Sequence, residues 1–265
     1  MAPKKRAPST PPRTSSRSKP TTTSTNVPHQ QPSHIPEKVR SVLKSYIERP
    51  ETFPFNAVLY HNSSFVLIRD LYPKASIHLL LLPRDPDLSK THPLEALQNN
   101  AEFREEAKKV LQERVIPMVA SELRRKFGAE SQSDQAYQSA LELRMSGAER
   151  ETTGELPNGR DWASGIRTGI HFHPSLSNLH IHIITPDMHS DCVKHRSHYN
   201  SFNTPFFIPV DAFPLPEDDD RLNNSIPHGY LGRDMVCWKC GRNFGRKFKE
   251  LKAHLEGEWE AWKKE

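Results

Sequence analysis

The segment Asn178–Ile184, with the sequence NLHIHII, constrains the fold most because polar and apolar side chains alternate along it. A period of two is typical of a β-strand with one buried face, and it places Asn178, His180 and His182 on the same side. The opposite side is entirely aliphatic and is expected to pack in the core. Imidazoles are costly to bury unless they are hydrogen-bonded, bound to a metal or engaged with a ligand. The segment therefore predicts a site as well as a strand.

Other segments supply the rest of a sheet. Strands are predicted at Ala57–Tyr60, Phe65–Arg69 and Ile77–Pro83, and two more lie within Ile170–Ile184. Residues 93–127 carry a helical periodicity that Pro117 must kink or split. Strands on both sides of a long helical stretch predict the α+β class, with helices packed on an antiparallel sheet.

Composition divides the chain into four parts. Residues 1–36 are rich in Ser, Thr and Pro and hold six of the 37 basic residues but none of the 32 acidic ones, so a disordered basic tail is predicted. A main folded domain is predicted at 37–209, with a polar insertion loop at 128–162 that contains one short helical stretch. A linker rich in proline and acidic residues is predicted at 210–231, followed by a small module at 232–265.

The tail and the cysteine content give expectations about localisation. Pro3–Arg6 reads Pro-Lys-Lys-Arg, which suits a nuclear-import signal, a loose nucleic-acid tether or a solubilising tail. No run of about 18 apolar residues and no signal-peptide pattern is present, so no membrane association is predicted. The spacing of the three cysteines does not indicate a disulfide framework, which favours a reducing compartment. We expect a nuclear protein.

A compact metal motif lies in the last module. Cys237 and Cys240 are separated by two residues, a spacing from which both thiolates can reach one ion. On the helix predicted after them, His254 and Glu258 are one turn apart and lie on the same face. These four side chains predict a zinc site, and a redox-active or incidental Cys-x-x-Cys pair is the alternative.

Basic residues surround the predicted zinc site. Six lysines and arginines between Lys239 and Lys252 accompany a single acid, Glu250. Such a local excess of positive charge is what contact with a phosphate backbone requires. Solvated charges on a helix are the alternative interpretation. The residues predicted to contact DNA here are Arg242, Arg246 and Lys247.

The alternating strand has further histidines around it. His171 and His173 lie just upstream, and His78 is on another predicted strand. A metal would explain this cluster, but no carboxylate or thiolate interleaves these positions. Neutral imidazoles that hold an anionic phosphate can also act as nucleophiles, and we favour that interpretation.

Three blocks of sequence resemble a known family. The first two are VLIRDLYPKASIHLLLLPRD (66–85) and HFHPSLSNLHIHIITPDMHSDCVKHRSHYNSFNTPFF (171–207), and the third is CWKCGRNFGRKFKELKAHLEGEWEAW (237–262). The alternating histidines resemble the motif of the histidine triad superfamily of nucleotidyl hydrolases and transferases. The third block, attached to the second, is characteristic of its DNA-repair branch, the aprataxins. The resemblance is closest to fungal members with a Cys-Cys-His-Glu zinc module.

The resemblance implies a histidine-triad fold followed by a zinc finger, and an enzyme that removes AMP from 5′-adenylated DNA left by abortive ligation. It implies a covalent adenylyl-histidine intermediate, a structural zinc ion and no metal in the catalytic step. The expected partners are nicked or double-stranded DNA with a 5′ adenylate, and AMP as product, with the protein acting as a monomer. Whether 3′-guanylylated ends are also processed is left open.

The resemblance also assigns roles by motif position. His180 corresponds to the nucleophile, while His182 and Ser175 correspond to phosphate contacts. Asp70 matches the acid that accepts hydrogen bonds from the ribose hydroxyls. The further residues expected around the phosphates or the DNA are His78, His171, Lys74 and Lys194.

Asn178 departs from the family pattern, which has a histidine at this position. An amide can orient a neighbouring group by hydrogen bonding, but it cannot shuttle a proton. The leaving group is a phosphate monoester, already a stable anion, so charge neutralisation matters more than protonation. We therefore expect Asn178 to lie at the nucleotide site and activity to be retained.

A short amphipathic helix is predicted at Glu37–Glu48, ending before Pro50. In the family an N-terminal helix can wedge against the terminal base pair. Here Val39 aligns with an aromatic wedge residue, so stacking is expected to be weaker or to come from Tyr46. An ordinary packing helix fits the apolar spacing equally well.

Two functions of other classes remain open from the sequence. One is hydrolysis of small adenylated nucleotides, which the histidine motif alone would permit. The other is a non-catalytic DNA-end-binding protein, against which His180 and His182 argue. Deletion of residues 232–265 is expected to impair action on adenylated nicked DNA while sparing a small nucleotide substrate.

Overall fold

The computed structural model describes residues 41–147, 155–222 and 228–265. The predicted basic tail, with Pro3–Arg6, lies outside the described residues. So does Val39, together with the first part of the predicted N-terminal helix. No helix in the described ranges is both long enough and apolar enough to cross a membrane.

Six antiparallel strands form the main sheet. They are β1 (Val58–His61), β2 (Phe65–Arg69), β3 (His78–Pro83), β4 (Arg167–His171), β5 (Ile181–Ile184) and β6 (Phe207–Pro209). Their order across the sheet is β1-β2-β3-β5-β4-β6. Strand β5 therefore lies centrally, between β3 and β4, and His182 faces Leu80 on one side and Gly169 on the other in the register.

Helices precede, interrupt and follow the sheet. They are α1 (Lys44–Glu48), α2 (Pro93–Asn99), α3 (Ala101–Val110), α4 (Ile116–Phe127), α5 (Gln135–Ser146), α6 (Arg196–Asn203), α7 (His228–Leu231) and α8 (Phe248–Lys264). A two-stranded sheet of β7 (Met235–Val236) and β8 (Asn243–Gly245) precedes α8.

The predicted long helix at 93–127 is divided more than expected. The side chain of Asn100 accepts a hydrogen bond from the Phe103 amide, which ends one helix and begins the next. A π-helical turn, Leu111–Val115, then comes just before Pro117, which lies in the first turn of α4. Proline is tolerated there because a first-turn amide needs no helical partner.

The first three predicted strands are confirmed to within one residue, as is the antiparallel α+β arrangement. The aliphatic face of the alternating segment is also where the pattern placed it. Leu179, Ile181 and Ile183 are fully buried in the main core with residues of α2 to α4. Burial of each such side chain stabilises the fold by about 1.5–3 kcal/mol.

The segments predicted from composition to be an insertion loop (128–162) and a linker (210–231) both contain buried residues. In the insertion, Asp134 is fully buried and accepts hydrogen bonds from Arg124 and from the Trp162 indole. In the segment predicted as a linker, Val210 and Phe213 belong to the main core. Residues 36–265 therefore form one compact unit, because apolar residues within these polar segments are buried by distant partners.

Candidate active site and candidate metal centre

A cavity of about 320 Å³ opens where β3, β4 and β5 meet α6. The predicted site residues on its wall are Asp70, Lys74, His78, His171, Ser175, His180 and His182. The adjacent antiparallel strands bring His78, His171 and His182 together from distant parts of the sequence. The cavity therefore gathers most of the residues predicted to bind a nucleotide.

His180 is oriented by the main chain. Its Nδ1 lies 2.7 Å from the carbonyl oxygen of Asn178. A carbonyl can only accept, so Nδ1 carries the proton and Nε2 keeps its lone pair. The imidazole is 3 % exposed, so little of it is open to solvent. This arrangement presents a neutral nucleophilic nitrogen, held in one tautomer.

The side chain of Asn178 does not line this cavity. Its amide donates to the Ser89 hydroxyl at 2.9 Å and lines a neighbouring cavity beside Lys44 and Lys90. The strand begins only at Ile181, so the alternation expected from the sequence does not extend to Asn178. Instead, the main-chain amide of Leu179 donates a hydrogen bond to the Ser89 carbonyl. What Asn178 contributes to the cavity is its carbonyl, which orients His180.

His78 and His182 form a hydrogen-bonded pair. The amide of Lys74 donates to Nδ1 of His78 at 3.3 Å, so the proton of this neutral ring is on Nε2. Nε2 in turn lies 2.9 Å from Nδ1 of His182. His182 must then carry its own proton on Nε2, which is buried and has no hydrogen-bond partner in the part of the chain that the structure describes. That N–H is a donor available to an anionic ligand.

His171 completes this arrangement. Its ring lies against that of His182, with centroids 4.3 Å apart, and the main chain of Ser201 is its hydrogen-bond partner. Nε2 of His171 is likewise buried and unpaired within the described residues. Buried ring nitrogens without a protein partner are suited to hydrogen-bonding a ligand that enters the cavity.

Burial lowers the pKa of all four central histidines. It lowers the pKa of His78 to about 4, partly countered by the Asp70 carboxylate. For His171 and His182, burial and the neighbouring imidazoles lower the pKa well below its usual value. The pKa of His180 is lowered by burial too, against the opposing effects of the Asn178 carbonyl and Asp70. The cluster is therefore neutral near pH 7.

Charged groups stand at the edge of the cavity. One carboxylate oxygen of Asp70 lies 3.6 Å from His78, and the other accepts from the Tyr72 amide. Burial lowers the pKa of the Lys74 ammonium, while Asp70 raises it. Lys194 is exposed and does not line the cavity, although its amide donates to His198. The structure thus brings Lys74, but not the Lys194 side chain, to the histidines.

Helix α6 adds wall residues that sequence reasoning missed. They are Ser197, His198, Ser201 and Phe202. Burial lowers the pKa of His198 to about 4, with further effects from His195 and Lys74. The available signal was the apolar spacing of Tyr199, Phe202 and the strand after it, which predicts a short helix packed on the sheet.

The predicted zinc ligands converge. The ligand atoms of Cys237, Cys240, His254 and Glu258 all lie within 4.8 Å of one another. Nε2 of His254 is 3.2 Å from the Cys240 sulfur and 3.0 Å from a Glu258 oxygen. Two sulfurs, one imidazole and one carboxylate suit zinc in number and chemistry, so the residues present fit the ion.

Residues predicted to contact DNA have mixed environments. Arg242, Arg246 and Lys247 are exposed, and Lys247 pairs with Glu250 at 3.1 Å. The ring of Tyr46 stacks on Phe53, with centroids 4.0 Å apart. The basic side chains are accessible to a ligand, whereas Tyr46 is already engaged within the protein.

Two family models match this chain. The HIT domain model matches residues 55–189, and a model described as a C2HE / C2H2 / C2HC zinc-binding finger matches residues 203–261. The first covers the strands that carry the cavity histidines. The second covers all four converging zinc-ligand candidates.

Similar proteins cover most of the chain. An aprataxin-like protein of Schizosaccharomyces pombe is 34% identical over 86% of this chain and 87% of its own length. One of Saccharomyces cerevisiae is 34% identical over 83% of this chain and 95% of its own length. A crystal structure of the aprataxin ortholog Hnt3 in complex with DNA matches with a TM-score of 0.65 and 32% identity, covering 84% of this chain and 96% of that one. A structure of Hnt3 in complex with DNA and guanosine matches with a TM-score of 0.63 and 34% identity, covering 84% of this chain and 97% of that one.

Proposed function

Because the chain belongs to the aprataxin branch of the histidine triad (HIT) family, we propose that it removes AMP from 5′-adenylated DNA ends through a covalent intermediate on His180. One observation carries the mechanism. The main-chain carbonyl of Asn178 fixes the proton of His180 on Nδ1 and leaves Nε2 free within the cavity. The DNA complexes of the related Hnt3 support the substrate class.

In the first step, Nε2 of His180 attacks the phosphorus of the adenylate. A nitrogen–phosphorus bond forms, and the bond from phosphorus to the bridging oxygen of the DNA 5′ phosphate breaks. The electron pair of that bond leaves with the DNA phosphate. Nδ1 keeps its proton and its bond to Asn178, so positive charge that develops on the ring is stabilised by the carbonyl dipole.

The surrounding groups stabilise charge on the transferred phosphoryl group. His182 offers an Nε2–H donor whose orientation is set by His78. Lys74 supplies positive charge beside the histidines, and Ser175 supplies a hydroxyl at the cavity wall. Donors fixed before the substrate arrives lower the barrier without further reorganisation. Asp70 lines the cavity and would accept hydrogen bonds from the ribose hydroxyls, as the family resemblance implies.

In the second step, water attacks the phosphorus of the adenylyl-histidine. The phosphorus–nitrogen bond breaks and its electron pair returns to Nε2, while AMP leaves with the oxygen of the water and the proton that the water loses passes to the solvent. The leaving DNA phosphate of the first step is a stable anion, so a proton donor at position 178 is dispensable. An asparagine whose side chain points to Ser89 is compatible with this chemistry.

The zinc module is proposed to bind the DNA. When bound, zinc would hold Cys237, Cys240, His254 and Glu258 together as a structural ion. Arg242, Arg246 and Lys247 would contact phosphates at this exposed face. We also propose that the protein acts as a monomer in the nucleus.

The test is incubation with a nicked duplex that carries a labelled 5′ adenylate. The expected results are release of AMP and, after an acid-free quench, labelled AMP bound to the protein through an acid-labile bond. Both should be lost in His180→Ala. His61→Ala is the matched control, since His61 is an exposed histidine on β1. AMP release by His180→Ala at the wild-type rate would exclude this mechanism.

A further inference from the structure

Helix α6 lies between the catalytic cavity and the zinc module. One side of the helix lines the cavity with His198, Ser201 and Phe202. Tyr199 and Asn200, on the same helix, instead bond to the segment that leads into the zinc ligands. The helix is therefore in contact with both sites.

Tyr199 joins α6 to the main chain around the first zinc-ligand cysteine. The side chain is fully buried. Its hydroxyl donates to the Val236 carbonyl at 2.8 Å and accepts from the Trp238 amide at 3.0 Å. Val236 and Trp238 are the two neighbours of Cys237. A single hydroxyl thus satisfies main-chain groups on both sides of this ligand.

Asn200 makes a second connection from the same turn of α6. Its amide donates to the carbonyl of Arg233 at 2.8 Å and to that of Leu231 at 3.2 Å. The side chain is 1 % exposed. Buried hydrogen bonds of this kind fix position because a displaced partner would leave polar groups unpaired.

On its cavity side, α6 holds the catalytic histidines. The Phe202 ring lies 4.6 Å from the His171 ring and 5.3 Å from that of His182, measured between centroids. The main chain of Ser201 is the hydrogen-bond partner of His171. Phe202 and Cys237 also belong to one hydrophobic cluster. A shift of α6 would therefore move the rings that face the phosphate.

A second bridge runs from α8. Trp259 follows the zinc ligand Glu258, and its indole donates to the Ser76 hydroxyl at 3.1 Å. Ser76 donates in turn to Asp187, which is fully buried, at 2.9 Å. Ser76 precedes His78 by two residues. The two halves of the zinc site are thus bonded to α6, which carries His198, and to Ser76 just before the strand of His78.

We propose that the zinc module is a positioning element of the active site, acting through Tyr199 and Asn200 on α6, in addition to any contact with DNA. The proposal rests on the proposed function for its catalytic consequence. It predicts that weakening this connection slows turnover even of a substrate without DNA. The proposal predicts the opposite of the sequence-based expectation that removal of residues 232–265 would spare a small nucleotide substrate. Trp262 of α8 is also part of the main core, so that deletion would expose the core.

The test uses adenosine 5′-phosphoramidate, a small adenylate, and the zinc-loaded full chain. Tyr199→Phe keeps the ring and removes only the hydroxyl. The expected result is a fall in kcat of about ten-fold with KM nearly unchanged, since small displacements of catalytic groups reduce rate more than binding. Tyr60→Phe, which removes a hydroxyl from the edge strand β1, is the matched control and should leave kcat unchanged. Zinc content is measured in every variant.

Hydrogen exchange of the amides of residues 197–203 supplies a readout that needs no activity. Exchange is expected to accelerate in Tyr199→Phe and not in Tyr60→Phe. If exchange and kcat are both unchanged, or if exchange accelerates while kcat stays at the wild-type value, the positioning role is excluded. Asn200→Ser provides an independent variant should Tyr199→Phe fail to fold. If the proposed His180 mechanism is wrong, His180→Ala will still release AMP. The hydrogen-exchange result would even then show whether Tyr199 couples α6 to the zinc module.

Discussion

The catalytic cavity and the zinc cluster both bring histidine and a carboxylate together, yet they are built for different ligands. In the cavity, Asp70, His78 and His182 have ligand atoms within 4.8 Å of one another, as do the four residues of the zinc cluster. In the cavity, the ring nitrogens of His78 and His182 bind each other, whereas in the zinc cluster Nε2 of His254 faces the Cys240 sulfur and a Glu258 oxygen.

The hydrogen-bond partner of one imidazole nitrogen determines which ligand the other nitrogen can bind. In His180 and His78, one nitrogen is occupied by a main-chain group, which fixes the tautomer and leaves the other nitrogen for a defined partner. In the zinc cluster, thiols from Cys237 and Cys240 join the imidazole, and thiolates favour a soft metal. The surroundings of the histidines therefore suit a nucleotide in one place and a metal ion in the other.

The largest effect is expected at the nucleophile. His180→Ala should reduce AMP release by about 10⁴-fold or more, since covalent catalysis is lost. Zinc content should remain unchanged, because His180 is not a ligand of the metal cluster. Measurement of both quantities on one preparation sharpens the separation of the two sites. A loss of zinc in this variant would show that the two sites are not independent.

The next effect is expected at the metal. Cys240→Ala should remove the zinc ion and lower the melting temperature strongly, since metal binding contributes several kcal/mol to folding in small zinc modules. Elemental analysis of the wild-type protein should give one zinc per chain. Two zinc ions per chain would show that Asp70, His78 and His182 also bind the metal, so that the cavity would be a second metal site.

A smaller loss is expected from the phosphate donor. His182→Phe keeps a ring in the cavity but removes the Nε2–H, so kcat should fall by about 10²–10³-fold, the usual cost of one preorganised donor. Rapid-quench measurement of adenylyl-enzyme formation reports the affected step. An unchanged rate would mean that His182 serves only to pack the cavity.

The pH dependence of stability should distinguish the buried imidazoles from exposed ones. The pKa of His78 is lowered from its usual 6.5 to about 4, so the unfolded chain binds a proton first as pH falls. Stability is therefore complete above pH 6.5 and declines between 6.5 and 4, by about 3 kcal/mol from this group. The free energy of unfolding, measured with urea across that pH range, should fall less steeply with decreasing pH in His78→Asn than in the wild-type protein. An unchanged slope would contradict the assignment of this group.

The smallest effect is expected at the N-terminal helix. Tyr46 stacks on Phe53, so Tyr46→Ala should change stability more than DNA-end affinity, with a shift in affinity of about three-fold or less. Fluorescence anisotropy with a nicked duplex measures the affinity. A larger loss of affinity would restore the wedge expected from the family resemblance.

Much of the fold and the site followed from local pattern. The strands at Phe65–Arg69 and Ile77–Pro83, the buried aliphatic face of β5 and the four zinc ligands are visible in spacing alone. Helix α6 and the packed insertion were not predicted, because their burial depends on partners far along the chain. Asp134, for example, is stabilised by Arg124 and Trp162 from either side of the insertion.

By itself, the sequence determined which side chains share a face of a strand or helix, such as the buried Leu179, Ile181 and Ile183 and the converging pair His254 and Glu258. Only the tertiary structure decided how they are used. The tautomers of His180 and His78 depend on carbonyl and amide groups placed by the fold, and the side chain of Asn178 turns to Ser89 instead of the cavity. Hydrogen bonds have direction and require both partners in place, and no sequence period encodes that.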